Sequence, residues 1–204
     1  MIGVARDGAL WTVTLNRPEK ANSLTRAMLV ELEGVFAAAA REGAKALILT
    51  GAGKVFSAGA DLDEARAGLA TDPIWTQLSD RVAGSPFLTV CAMNGTLAGG
   101  AMGMALACDL RISVPDAKVF YPVMKLGFLP QPADPGRLVT LVGPARAKMI
   151  LMAGVRVAAD EARDWGLIDR LAEPAALMDT ARTLCADVLA AEAGHVAAIK
   201  RMAG

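Results

Sequence analysis

From Leu10 the chain reads LWTVTL, with Trp11, Val13 and Leu15 alternating against Thr12 and Thr14. A period of two predicts a strand with one buried face. Asn16, Arg17 and Pro18 then turn the chain. Between about Thr25 and Arg41 the period changes: Met28, Leu32, Val35, Phe36 and Ala39 fall at helical spacing, and Gly43 ends the helix. KALILT (Lys45 to Thr50) predicts a short buried strand. After a loop from Gly51 to Leu62 comes a stretch read as helical or irregular. Phe87 to Met93 then predicts a strand, about Gly99 to Ala107 a helix opened by glycine, and Leu110 to Val114 another strand. Pro144 marks the first turn of a helix through Met152. A further helix from Ala159 to Trp165 stops at Gly166, and an Ala-rich helical tail begins near Pro174. Strands alternating with helices predict an α/β fold with mostly buried strands.

Composition narrows what such a fold does. A chain of 204 residues fits one domain, or one domain with a small helical appendage. Apolar residues make up 54% but aromatics only 4%, which suits close-packed helices and a large subunit interface. The 21 basic and 21 acidic residues form no stripe, so nucleic acid is excluded as a partner. Cys91, Cys108 and Cys185 lack metal-ligand spacing and point to no metal and a reducing cytoplasm. The N-terminus shows no basic region followed by an apolar run, so no signal peptide is expected. Pro86 to Cys108 carries no charge, yet Asn94-Gly95 and Gly99-Gly100 break it into a strand and a helix, so no membrane span is expected. GAGK (Gly51 to Lys54) is not followed by Gly-Lys-Ser/Thr, which excludes a triphosphate loop. His195 is the only histidine and has no nucleophile motif to serve, so it reads as a surface or packing residue.

Four blocks in order carry a resemblance. They are NRPEKANSL (Asn16 to Leu24), TGAGKVFSAGADL (Thr50 to Leu62), NGTLAGGAMGMALACDLRIS (Asn94 to Ser113) and PVMKLGFLP (Pro122 to Pro130), continued by LVGPARAKMILMAG and ADEARDWGLID. Together they resemble the crotonase, or enoyl-CoA hydratase/isomerase, family over nearly the whole chain. The resemblance implies a right-handed spiral of ββα turns over residues 1–155 with an acyl-CoA site. A C-terminal helical region over 156–204, shorter than in many relatives, is expected to follow. It also implies a homotrimer or dimer of trimers, and coenzyme A as part of the substrate rather than as a separate cofactor.

The shared chemical problem in such a family is a thioester carbonyl that becomes an oxyanion. Two fixed backbone N–H groups stabilise that charge, each by a few kcal/mol in a dry site. By resemblance these belong to Ala60 and Gly100. Gly99 and Gly100 give the thioester room to approach the backbone, and Gly100 lies near a predicted helix start. Ala58, Gly59, Ala60, Asp61 and Leu62 resemble the stretch that cradles the nucleotide and pantetheine, with Lys20, Ala21 and Asn22 as the other wall. Lys20 is either a point charge for a phosphate or a solvated turn lysine. Asp61 reads as structural, pairing with an arginine or capping N–H groups.

The family's two hydratase glutamates fall on Gly103 and Val123, and an aspartate that some members place later falls on Gln131. None of these three residues transfers a proton, so ordinary hydration is disfavoured. Asp134 in PQPADPGRL and Tyr121 are the nearby candidates, although an aspartate in such a loop is commonly a turn residue or cap. The methionines Met102, Met104, Met124, Met149 and Met152 read as core rather than as an acyl pocket. The reading is an acyl-CoA lyase or isomerase. The alternative is a non-catalytic acyl-CoA-binding or assembly subunit that has lost its acid–base pair.

Overall fold

The computed structural model describes residues 1–203. Its first strand, β1 (Ile2–Asp7), is absent from the sequence expectation. It pairs antiparallel with β2 (Leu10–Leu15) at the edge of a sheet. Most of its side chains are exposed, so it carries no buried-face alternation to read. In β2 the expected alternation holds, with Trp11, Val13 and Leu15 buried.

The chain then winds repeatedly between two sheets. After α1 (Arg26–Arg41), whose Thr25 side chain caps the Met28 N–H, come β3 (Ala46–Gly51) and β4 (Val55–Ser57). Helices α2 (Leu62–Arg66) and α3 (Ile74–Ala83) return the chain to β5 (Leu88–Met93), β6 (Thr96–Ala98) and α4 (Met102–Ala107). A further turn gives β7 (Leu110–Ser113), β8 (Lys118–Phe120), α5 (Val123–Leu126) and α6 (Asp134–Leu151). The large sheet runs β1-β2-β3-β5-β7-β10 and the small one β4-β6-β8-β9, where β9 is Val157–Ala158 and β10 is Arg170–Leu171. The short helix α7 (Ala159–Asp164) joins those last two strands, so residues beyond 156 add a strand to each sheet. Helices α8 (Leu177–Ala190) and α9 (Ala193–Ala203) complete the C-terminal helical region.

Strand β3 is buried at five of its six positions, as expected for a strand covered on both faces. Phe36 of α1 stacks on Phe87 at 6.4 Å between ring centroids, both fully buried. Pro144 does open a helical stretch, but Asp134 to Val142 is helical too. The two pieces meet at Gly143, where φ is 79° and ψ is 164°. Of the five methionines read as core, Met102 and Met104 are buried. Met124, Met149 and Met152 are exposed, because they lie on the outer faces of α5 and α6 or just past α6. All three cysteines are buried and free. Among the described residues no helix is long and apolar enough to cross a membrane, and no cluster of His, Cys, Asp and Glu is suited to a metal.

Candidate active site

Strands β4, β6 and β8 lie side by side and parallel, so their C-terminal ends open on one edge of the small sheet. Ala58 to Leu62 leaves the end of β4, Gly99 and Gly100 leave β6, and Tyr121 leaves β8. Three sequence-distant segments are thereby brought together where parallel sheets commonly bind ligands. They line a cavity of about 240 Å³. Ala58, Ala60, Gly99, Gly100 and Tyr121 all face it, and Leu62 stands at its mouth.

The two segments carrying the expected donors touch through glycine. Gly59 has φ +94° and Gly99 φ +58°, conformations that L side chains rarely adopt. A Cβ on Gly59 would lie 2.9 Å from the Ala98 carbonyl oxygen and 3.3 Å from the Gly100 nitrogen. A bridge between Leu24 and Ala60 fixes the first segment: Leu24 N–H donates to Gly59 O at 2.8 Å and Asp61 N–H to Leu24 O at 2.8 Å. Among the described residues, the Ala60 and Gly100 N–H groups donate to no acceptor of the chain. Trp75 of α3 packs its ring on Gly100, where a Cβ would stand 3.1 Å away, and its Nε1–H donates to Leu69 O.

The turn Lys20–Asn22 stands behind this segment rather than in the cavity, which none of the three lines. The Asn22 amide is fully buried and consumed by the fold. Its Nδ2 donates to Ala52 O and Val55 O, and its Oδ1 accepts from Arg17 N–H. Ala21 O takes the Ala58 N–H at 2.9 Å, and Asn22 O takes the Ser57 hydroxyl at 2.8 Å. Asn22→Ala takes the side-chain partner from the part-buried Arg17 N–H and Ala52 O, removes one of the donors to Val55 O and leaves alanine at φ +51°. We expect it to lower unfolding free energy by about 3 kcal/mol in urea titrations. Lys20 is exposed. Asp61 caps α2 through the Asp63 and Glu64 N–H groups and pairs with Arg17 at 2.7 Å. The Arg17 hydrogen bond is the main reason its carboxyl is held below the usual carboxylate range.

Tyr121 and Asp134 meet. The Tyr121 hydroxyl donates to Asp134 Oδ2 at 3.0 Å and accepts the Gln131 N–H at 3.3 Å. Tyr121 borders the cavity, whereas Asp134 is fully buried behind it as the first residue of α6. Its other oxygen, Oδ1, has no hydrogen-bond partner. Burial raises the Asp134 carboxyl to about 6, opposed by the Tyr121 hydrogen bond and the Arg137 charge. Burial, and next the Asp134 charge, also push the phenol well above its usual range, so Tyr121 is neutral. Among the cavity's lining residues only Arg66 and Tyr121 are ionisable, and Val123 lines it without a proton to give. A guanidinium does not deprotonate, which leaves Tyr121 as the one lining side chain with an O–H proton to exchange.

Sequence reading missed Trp75 and the lip formed by Leu126, Phe128 and Leu129. Ile74, Trp75, Leu78 and Val82 were spaced for a helix face, a signal present but unused. His195 lies on α9, exposed, beside a separate groove of about 1030 Å³ that shares no residue with this cavity.

The family model for enoyl-CoA hydratase/isomerase matches residues 5–203. The chain is 33% identical over 183 residues to the 1,2-epoxyphenylacetyl-CoA isomerase of Escherichia coli, covering 85% of this chain and 70% of that protein. It is also 33% identical over 190 residues to the short-chain-enoyl-CoA hydratase of Clostridium acetobutylicum, covering 88% and 71%. The crystal structure of an enoyl-CoA hydratase from Bacillus anthracis superposes with a TM-score of 0.91 at 31% identity, over 98% of this chain and 81% of that one. With its two-sheet winding, its glycine-lined cavity and these matches in agreement, the chain belongs to the enoyl-CoA hydratase/isomerase family, with the crotonase fold.

Proposed function

We propose that the protein is an acyl-CoA lyase or isomerase that holds the thioester carbonyl between the Ala60 and Gly100 N–H groups and forms an enolate-like oxyanion. Proton transfer runs through Tyr121 and Asp134 in place of the glutamates that positions 103 and 123 lack. The observation that carries this reading is the Tyr121–Asp134 hydrogen bond beside two unpaired backbone donors. The phenol oxygen takes a proton from the substrate carbon while its own proton passes to Asp134 Oδ2, and the reverse transfer returns it. Neither step leaves a phenolate. The E. coli and C. acetobutylicum relatives are both named for CoA thioesters with different acyl groups, which supports the class of substrate and leaves the acyl group open.

Coenzyme A enters as part of the substrate, with no separate cofactor. Exposed Lys20, on the turn bracing Ala58, is placed to offer its charge to a phosphate. Family membership supports a homotrimer or a dimer of trimers as the assembly.

The test is a panel of acyl-CoA thioesters followed by mass spectrometry. Conversion of at least one is expected, and Tyr121→Phe should slow it by roughly 10²–10⁴. Tight binding without conversion of any member would instead establish the non-catalytic acyl-CoA-binding subunit.

A further inference from the structure

Gly103 sits inside α4, whose six residues are all buried. Glycine within a helix is unfavourable by about 1 kcal/mol against alanine, so it needs a reason. Backbone freedom is not that reason, because Gly103 is not among the glycines with positive φ. Space is. A Cβ at residue 103 would lie 3.0 Å from Asp134 Oδ1 and 3.4 Å from Oδ2, and its third-nearest neighbour, at 3.6 Å, is the carbon of the same carboxyl group. The three nearest atoms thus belong to one group.

We propose that Gly103 is a positioning residue, and that its missing side chain is the seat in which the Asp134 carboxyl reaches Tyr121. The inference rests on the Tyr121–Asp134 pair as the proton-handling unit. The carboxyl is gripped on one side by the Tyr121 hydroxyl, and its free oxygen stands 3.0 Å from where a Cβ at residue 103 would be. It has little freedom to yield, because Asp134 opens α6 and is followed by Pro135. A methyl group at 103 therefore displaces the carboxyl relative to the phenol. No residue of α4 is ionisable. The charged or titratable groups facing the carboxyl are Tyr121, next to β8, and Arg137, one turn along α6. Arg137 in turn pairs with Asp80 of α3 at 3.3 Å.

Tyr121 is the only tyrosine in the chain, so carbon-13 labelling of the tyrosine ring gives one resonance that reports on this hydrogen bond. In the wild type that resonance is expected to move with pH, with a midpoint near 6. In Asp134→Ala, or in Asp134→Ser should that fold better, the movement disappears. Gly103→Ala is expected to displace the midpoint by about half a pH unit or more, and to leave the resonance unmoved when Asp134→Ala is already present. On whichever thioester the panel shows to be converted, Gly103→Ala should lower kcat about tenfold or more with KM within about threefold. That split follows because residue 103 does not line the cavity. A resonance indifferent to Gly103→Ala, or displaced equally in both backgrounds, overturns the seat and leaves the enzymatic reading intact. Coupling in a protein that converts no thioester does the opposite: it upholds the seat and overturns the enzymatic reading.

Discussion

Gly59→Ala is expected to lower kcat/KM on the converted thioester by roughly 10²–10³, the usual loss when one oxyanion donor is removed. The added methyl meets backbone rather than a side chain that swings away. Its nearest neighbours are Ala98 O at 2.9 Å, Gly99 Cα at 3.1 Å and Gly100 N at 3.3 Å. A φ of +94° is itself unfavourable for alanine. The segments bearing Ala60 and Gly100 must separate, and in the proposed mechanism the two N–H groups then no longer share one oxyanion. Stability falls as well, so turnover is to be measured well below the unfolding transition of the variant, with folding checked by circular dichroism. Gly8→Ala, at a positive-φ glycine of the β1–β2 turn with open space around it, is the control for backbone strain alone. Turnover by Gly59→Ala within about threefold of Gly8→Ala would remove the close approach from the mechanism.

The second large effect is a separation of stability from activity at Asp134. Its folded carboxyl titrates at about 6, against an ordinary 3.8. A raised value means that the folded state holds its proton more tightly than the unfolded chain does. The corresponding stability is fully present below about pH 4 and is lost as the pH rises through 6. Above that the loss is complete, at roughly 3 kcal/mol for the fully buried group. Asn does not ionise, so the stability of Asp134→Asn relative to the wild type should improve by about that amount between pH 4 and pH 8. Comparing two pH values cancels whatever fixed cost the amide brings. In the proposed mechanism turnover behaves oppositely over the same range. Wild-type activity rises through about pH 6 as Asp134 becomes able to accept the Tyr121 proton, and Asp134→Asn stays slower by roughly 10² or more. Urea titrations at pH 4, 6 and 8 check the first half. A flat difference would show that Asp134 titrates as an ordinary exposed carboxyl.

What could be read from residues alone follows physical lines. The longer elements were legible because β2, α1 and β3 bury enough side chains to imprint a period. Strands β4, β6 and β8 have three residues each, too few for any period, although Ala58 to Leu62, Gly99, Gly100 and Tyr121 all leave from their ends. Strand β1 was invisible because its outer face meets solvent. The glycines at 59 and 99 were legible because a positive φ is written in the residue that tolerates it, whereas Gly100 is required by the Trp75 ring packed against it. The Asp134 environment was not. That a carboxyl thirty-one positions after Gly103 rests on it depends on how α4 and α6 pack, and no local pattern records that. The bonding of Asn22 was hidden for a related reason: its amide donates to Ala52 O and Val55 O, 30 and 33 positions along the chain.

The parallel pairing of β4 with β6 has a consequence for how the protein is made. Parallel neighbours are not formed by a hairpin. They wait for the intervening crossover, here α2, α3 and β5, to collapse into place. The cavity lined from the ends of both strands is therefore incomplete in a nascent chain that has only one of them. The cavity is closed only once both windings have docked. A ligand that recognises it binds the completed spiral alone and draws the folding equilibrium toward that state by mass action.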